Sequence, residues 1–559
     1  VARLAGPALR LAGRGSRRGP VAVRLALVSL GRQGGRPALA AAYITGALGL
    51  AIFAVSYRAT LRAGESDQAA FQVPLDFTLT EGAALRRPLD VAPPARYRAL
   101  APHTIAVPIL RTSVAVPGPG TPVQPTLVGV PAALLPRLHW RSDYADVSPA
   151  ALAHLLSPGR PPRMATAQLP ASARRLSLAV TGSGRAVVLQ VAVRRPDGTF
   201  DTIQLGTTGA GRLVLSAPIP AADRGGGVAG LEIGLTPADA QALEHAGIEG
   251  GLTIVANGAL RLAPLRAGGE AVTDFSGWLA RGTATLGGGP GRIDYALDGR
   301  ANGLVRPPQP SDGSRVPLLA STDVAQAAGP GGRLALALPD GRSVPAQVVA
   351  VGDRFPTTGS SFAIADEATL ALKINADAPG TAVPDEMWVG VPPDETGRVQ
   401  SELRRPPFSA LAVRSRSGIR ASEAGRPLAR GILIVLEAAA VLAVLLAAAG
   451  LVLVGASDLA DERPHLDDLE AMGVPPRVLR VHLILRAVLM AVAGIAGGIV
   501  LGIALSRAVV DLVQLGAGSA TAVPPLRAEA SLPTAAAAVV AFTILGLLPV
   551  ALMTGRSAR

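Results

Sequence analysis

The chain has 559 residues and a formal net charge of +13, with 49% of residues hydrophobic and only 17% charged. Soluble domains carry roughly 25% charge, so this balance points to a membrane protein, and the aliphatic content excludes a disordered one. The absence of cysteine excludes disulfides, thiolate zinc sites and cysteine nucleophiles together. The basic excess is arginine apart from Lys373, and it is scattered over a chain that is 3% aromatic. A nucleic-acid binder concentrates its cations on one face beside stacking rings, so no nucleic-acid partner is expected.

The chain opens with an arginine-rich amphipathic segment, 1–36, which holds eight arginines and no acid. Four stretches then approach the roughly 20 apolar residues that cross a bilayer as helix. They are 37–57, 431–457, 487–506 and 532–555. The arginine-rich end is expected to stay in the cytoplasm. That places the 458–486 segment and the 556–559 tail inside, and 58–430 and the 507–531 loop outside. Fourteen arginines then fall in the inside segments against two in the outside loop. The expectation is a multi-pass plasma-membrane protein with both termini cytoplasmic and the lipid bilayer as its first partner.

Between the first two spans lie 373 residues, 58–430, with a charge of +6. Residues 58–72 are helix-compatible and continue the first span as a stalk. Beyond Pro74 short apolar runs such as Leu176–Val180, Val187–Val193 and Gly251–Ala256 read as strands. Pro196-Asp197-Gly198, Asn257-Gly258 and Pro339-Asp340-Gly341 sit between apolar runs as hairpin turns do. Residues 170–300 are therefore expected to form an inserted β-sandwich. Glycine- and proline-rich stretches near 117–125, 157–162, 287–291 and 306–313 are candidate boundaries. A helix over Thr322–Ala328 followed by a hairpin predicts α+β surroundings. The fold class expected is an α+β membrane protein, four transmembrane helices with a large mixed extracytoplasmic domain containing that β-sandwich.

Catalytic motifs are missing. The six histidines show no metal-ligand spacing, and there is no nucleophile elbow. Gly225 to Gly230 satisfies GxGxxG but precedes a strand-like run, Leu231-Glu-Ile-Gly-Leu, which removes the helix N-terminus that would hold phosphate. Lys373 follows no glycine, so the chain has no Walker A loop. No enzyme activity, metal or cofactor is expected. Two other features stand out. Gly494, Gly498 and Gly502 recur every fourth residue, making one helix face flat enough for close packing within the chain or against a second copy. In the 458–486 segment Leu466, Leu469 and Met472 form a short amphipathic stripe stopped by Gly473 and Pro475. Glu437, an acid at the start of the second span, lies within reach of the interface.

The run ERPHLDDLEAMGVPPRVLRVHLILRAVL, together with one early span, a large ectodomain and three clustered late spans, resembles the FtsX/MacB/LolC type of ABC transporter permease. VRLALVSLGRQGGRPALAAAYI resembles that family's approach helix, and VPAQVVAVGDRFPTTG resembles its MacB-like periplasmic core domain. The resemblance leaves 170–300 unexplained, and Pro464 and Asp467-Asp468 depart from the family's usual residues. It implies a permease subunit that couples ATP hydrolysis by a separate cytoplasmic ABC ATPase to extracytoplasmic movement. The substrate would be lipid-like, a lipoprotein or a peptide. Asp461, Glu462, Leu466, Leu469, Met472 and Gly473 would dock the ATPase. Implied partners are a second permease copy or repeat and an extracytoplasmic protein, and the chain suits the second repeat of a double-length actinobacterial permease. The alternatives are an FtsX-type mechanotransmitter controlling a cell-wall hydrolase and a membrane-anchored glycan-binding or adhesion protein.

Overall fold

The structure, a computed structural model, describes residues 35–118, 121–157, 163–246, 255–289, 291–299, 301–424, 434–446, 475–516 and 523–527, with a few single positions besides. The chain divides into two units, one of residues 72–416 and one made of the segments on either side of it.

The 72–416 unit is built on a nine-stranded mixed sheet. Its four central strands, Val316–Ala320, Phe362–Asp366, Thr126–Val130 and Ile105–Ser113, are hydrogen-bonded in that order. Phe362–Asp366 pairs parallel with Thr126–Val130, and its other neighbour, Val316–Ala320, is antiparallel to it. Side chains alternate between faces along a strand, and the register aligns them across the sheet. Leu319 lies opposite Ile364, and Ile364 opposite Val128, so these three form a row on one face. Ala320, Ala363 and Leu127 form the row behind it. Both rows are fully buried and belong to different cores. The helix Glu367–Asp377 covers one face through Leu370 and Ile374, and Pro149–Leu156 covers the other through Leu152 and Leu156. A strand buried on both faces needs no polar alternation, which is why these runs read VPLLA, FAIAD and TLVGV.

Asp366 ends its strand and starts the following helix. One carboxylate oxygen accepts the Thr369 N–H at 3.1 Å and the other the Ala132 N–H at 3.0 Å. Such a cap stabilises a helix by about 1 kcal/mol. At the far end of the sheet the first strand, Phe77–Thr80, pairs antiparallel with the last, Ala412–Ser415. Arg416 adds an N–H to Asp76 O at 2.9 Å and a guanidinium hydrogen bond to Val73 O at 3.0 Å. The chain therefore enters and leaves this unit through neighbouring strands.

Between Ala167 and Arg306 the chain leaves the large sheet and forms two antiparallel sheets, of seven and six strands. Leu176, Leu178 and Val180 from Arg175–Gly184 share one core with Leu189, Val191 and Val193 from Val188–Arg194. Burying each such side chain contributes roughly 1.5–3 kcal/mol, and the shared core holds the sheets face to face. Pro196-Asp197-Gly198 turns between Val188–Arg194 and Phe200–Thr207, with Gly198 at φ 92°. Asn257-Gly258, in contrast, is not a turn. It lies inside the strand Ala256–Leu262, where a Cβ on Gly258 would come within 2.4 Å of the Tyr295 hydroxyl. Its glycine serves close packing and not chain reversal. Nor is 287–291 a boundary, since it joins the paired strands Ala284–Leu286 and Arg292–Leu297.

Arg306, 1% exposed, closes this excursion. Its guanidinium donates to both oxygens of Asp312 at 2.9 and 2.6 Å and to Asp377, the last residue of the sheet-covering helix, at 2.9 Å. The arginine holds the Asp312 carboxyl down at about 2.

At the start of that same helix, burial pushes the Glu367 carboxyl up to about 7, and the Asp366 carboxylate adds to the rise. A carboxyl raised in the folded state contributes stability that is present below its ordinary value and lost as pH climbs through the raised one. Unfolding of the full chain in detergent should therefore show the parent losing roughly 1–3 kcal/mol against Glu367→Gln between pH 5 and 8. Parallel pH profiles for the two proteins would remove Glu367 as the cause.

Candidate functional site

Among the described residues two helices are long and apolar enough to cross a membrane, by length and composition, over Ala41–Gln72 and Val488–Val509. Each is part of a longer helix. The first runs unbroken over Gly35–Gln72, 38 residues or about 57 Å, well beyond a bilayer core of about 30 Å. The other runs over Pro476–Gly516, so residues assigned from sequence to the flanking loops, 476–486 and 507–516, are helical. Of the segment 431–457 the structure describes chiefly Ile434–Leu446, a shorter apolar helix. The stretch 532–555 lies outside the described residues apart from single positions.

The glycine row meets the first helix. A Cβ placed on Gly494 would come within 2.5 Å of Ile44, on Gly498 within 2.9 Å of Leu48, and on Gly502 within 2.7 Å of Ile52. Ile44, Leu48 and Ile52 are themselves at most 2% exposed and spaced by four. A ridge of branched side chains thus lies in a groove that exists only because three side chains are missing. Gly49 returns the contact, since its Cβ would meet Leu501 at 2.9 Å. The Thr45 hydroxyl donates to Gly494 O at 3.3 Å across the same seam. Because lipid supplies no hydrophobic force between helices, close backbone approach and such hydrogen bonds have to hold them.

The order of contacts fixes direction. Residue numbers rise together along the seam, 44 with 494, 48 with 498 and 52 with 502, so the two helices run parallel. Against the segment Ile434–Leu446 the numbers run oppositely. Glu437 pairs with Arg58, Ala440 packs with Ala54 and Ala51, and Val444 packs against the cluster of Ala47, Leu48 and Ile52. That segment is antiparallel to the first helix. Glu437 is thus an ion-pair and hydrogen-bond partner of Arg58, a residue that flanks the first apolar stretch. Sequence inspection singled out the acid but not its arginine, because the two are 379 positions apart.

The amphipathic segment with Asp461, Glu462, Leu466, Leu469, Met472 and Gly473 lies outside the described residues. No group of histidines and acids that would hold a metal occurs among the described residues.

The seam makes a geometric prediction that the cysteine-free background makes easy to test. A Cβ on Gly497 would stand 3.5 Å from the Thr45 Cβ, inside the range of about 3.5–4.5 Å that a disulfide spans. Thr45→Cys with Gly497→Cys should crosslink within one chain on mild oxidation in membranes, and Gly498→Leu added to that pair should abolish the crosslink. A crosslink that forms only between chains would place the glycine row against another copy.

The FtsX-like permease C-terminal family model matches residues 437–558. The match begins at the Arg58 partner, Glu437, and includes the glycine row. No curated protein matches the chain. The family is one of transporters and not of enzymes, and its permeases typically work with an ABC ATPase. Residues 437–558 are thus similar to the C-terminal region of FtsX-like permeases, and this match supports a permease of the FtsX/MacB/LolC type.

Proposed function

We propose that the chain is the permease subunit of an ABC transporter, converting ATP hydrolysis by a cytoplasmic partner into movement of the 72–416 unit outside the membrane. The observation that carries this reading is the match to the FtsX-like permease C-terminal region over 437–558. The helix directions lend it support. A first span directed outward, an antiparallel segment at 434–446 and a parallel helix at 476–516 require an odd number of crossings between the two parallel helices, which one crossing by 431–457 supplies. A fourth crossing at 532–555 then returns the C-terminus to the cytoplasm. Arginine counts give the same sidedness.

Under this reading 461–473 forms the ATPase contact, and Leu466, Leu469 and Met472 enter its groove while Asp461 and Glu462 meet basic residues beside it. The 35–72 helix is the moving part, because it carries the seam and continues by chain into the first strand of the sheet. A second copy or repeat completes the permease. The cargo is lipid-like, a lipoprotein or a peptide.

Replacing Leu469 with Asp should abolish copurification of the ATPase and leave membrane insertion intact, because a charge in an apolar groove is desolvated without a partner. Undiminished copurification would overturn the docking assignment.

A further inference from the structure

A cavity of about 430 Å³ opens where the six-stranded sheet of the sandwich meets the hairpin Arg333–Val351 of the large sheet. A second cavity, of about 240 Å³, shares Leu338, Asp340, Arg342, Ile374 and Thr381 with it. The two are adjoining lobes of one groove beside the Pro339-Asp340-Gly341 turn. The larger lobe alone falls within the size range of small-ligand sites.

The charges lining the larger lobe cancel and are largely engaged. Arg342 binds Asp340 at 2.9 Å, Lys373 donates to Ser311 O at 2.7 Å, and Asp377 accepts from Arg306 at 2.9 Å. Neither a polyanion nor a polycation gains from such a lining. Other groups are unspent. The side chains of Thr202, Glu232, Asn302 and Ser343 line the same lobe and enter no hydrogen bond among the described residues. Two hydroxyls, one amide and one carboxyl present donors and acceptors mixed together, against walls made by Leu304, Val344 and Ile374. Burial pushes the Glu232 carboxyl up, which favours a group able to donate as well as accept.

One more feature separates the ligands that fit such groups. Among the described residues Leu279–Gly282 is an edge strand of the six-stranded sheet, paired on one side only, and it supplies Arg281 and Gly282 to the lobe. An open strand edge offers main-chain hydrogen bonds to another extended chain. Among the described residues no aromatic ring lines either lobe to stack on a sugar. The geometry points to a binding site for a short, uncharged, extended peptide segment, its main chain read by Thr202, Glu232, Asn302 and Ser343 beside the edge strand Leu279–Gly282. This site does not rest on the permease reading, since binding is measured without ATP or a partner.

The test is calorimetric titration of the full chain in lipid nanodiscs with an acetylated, amidated Ser-Val-Ser-Val-Ser-Val hexapeptide, and with chitohexaose as a glycan probe. Saturable binding of the hexapeptide is expected, weakened roughly tenfold by Asn302→Ala and by Glu232→Ala, with none of chitohexaose. Neither side chain has a hydrogen-bond partner to lose among the described residues, and the unfolding midpoint, measured alongside, separates lost binding from a lost fold. Absence of saturable hexapeptide binding would overturn the proposal. So would equal binding in both variants, or binding of chitohexaose in place of the peptide.

Discussion

The ladder between Phe77–Thr80 and Ala412–Ser415 is the constraint on which the rest of the 72–416 unit depends. It sets the first and last strands side by side, with Phe77 opposite Ser415 and Thr80 opposite Ala412, and Arg416 extends the closure to Val73 and Asp76. A domain inserted between two helical segments must begin and end in nearly the same place. This ladder achieves that with main-chain hydrogen bonds, which are insensitive to side-chain substitution. The sandwich rejoins the large sheet beyond Arg306, whose two carboxylate partners belong to the chain that follows it. Breaking one partner of such a buried pair costs more than the pair itself contributes, because a desolvated charge is left behind.

Among the helices a different economy operates. Side chains are removed instead of added, and the groove at Gly494, Gly498 and Gly502 accepts Ile44, Leu48 and Ile52 at backbone distance. Ile44 and Ile52 suit the ridge because β-branched rotamers are already restricted in a helix, so little freedom is lost on packing. Polar supplements among the described residues include Thr45 to the Gly494 carbonyl and Arg58 to Glu437. The row of small residues lets the two backbones approach closely along this contact.

Features whose signal is local were legible in the sequence. Apolar length marked the two helices, and Pro196-Asp197-Gly198 and Pro339-Asp340-Gly341 marked hairpins because each demands a glycine at positive φ, found at 92° and 81°. Asn257-Gly258 carries the same letters for another reason, the crowding of Tyr295, and composition alone does not separate the two. The central strands TLVGV and FAIAD were missed because burial on both faces erases alternation, leaving runs too short to tell from any apolar segment. At the seam the glycine spacing was visible, but its partner was not. That Gly498 meets Leu48, or Glu437 meets Arg58, is information held in the fold, and so is the direction in which the helices run.

The closing ladder also carries a consequence for how the molecule is made. Phe77–Thr80 finds neither of its neighbours, Glu386–Gly390 nor Ala412–Ser415, until more than three hundred further residues have been synthesised. The sandwich, by contrast, pairs entirely within its own stretch and can be complete while the first strand is still waiting. Folding rates fall as contacts become less local, and unpaired strands are prone to associate with the wrong chain. The large sheet should therefore be the last and slowest part to form, and during that interval an early strand with fully apolar interior positions, Phe77 and Leu79, must be kept from other chains.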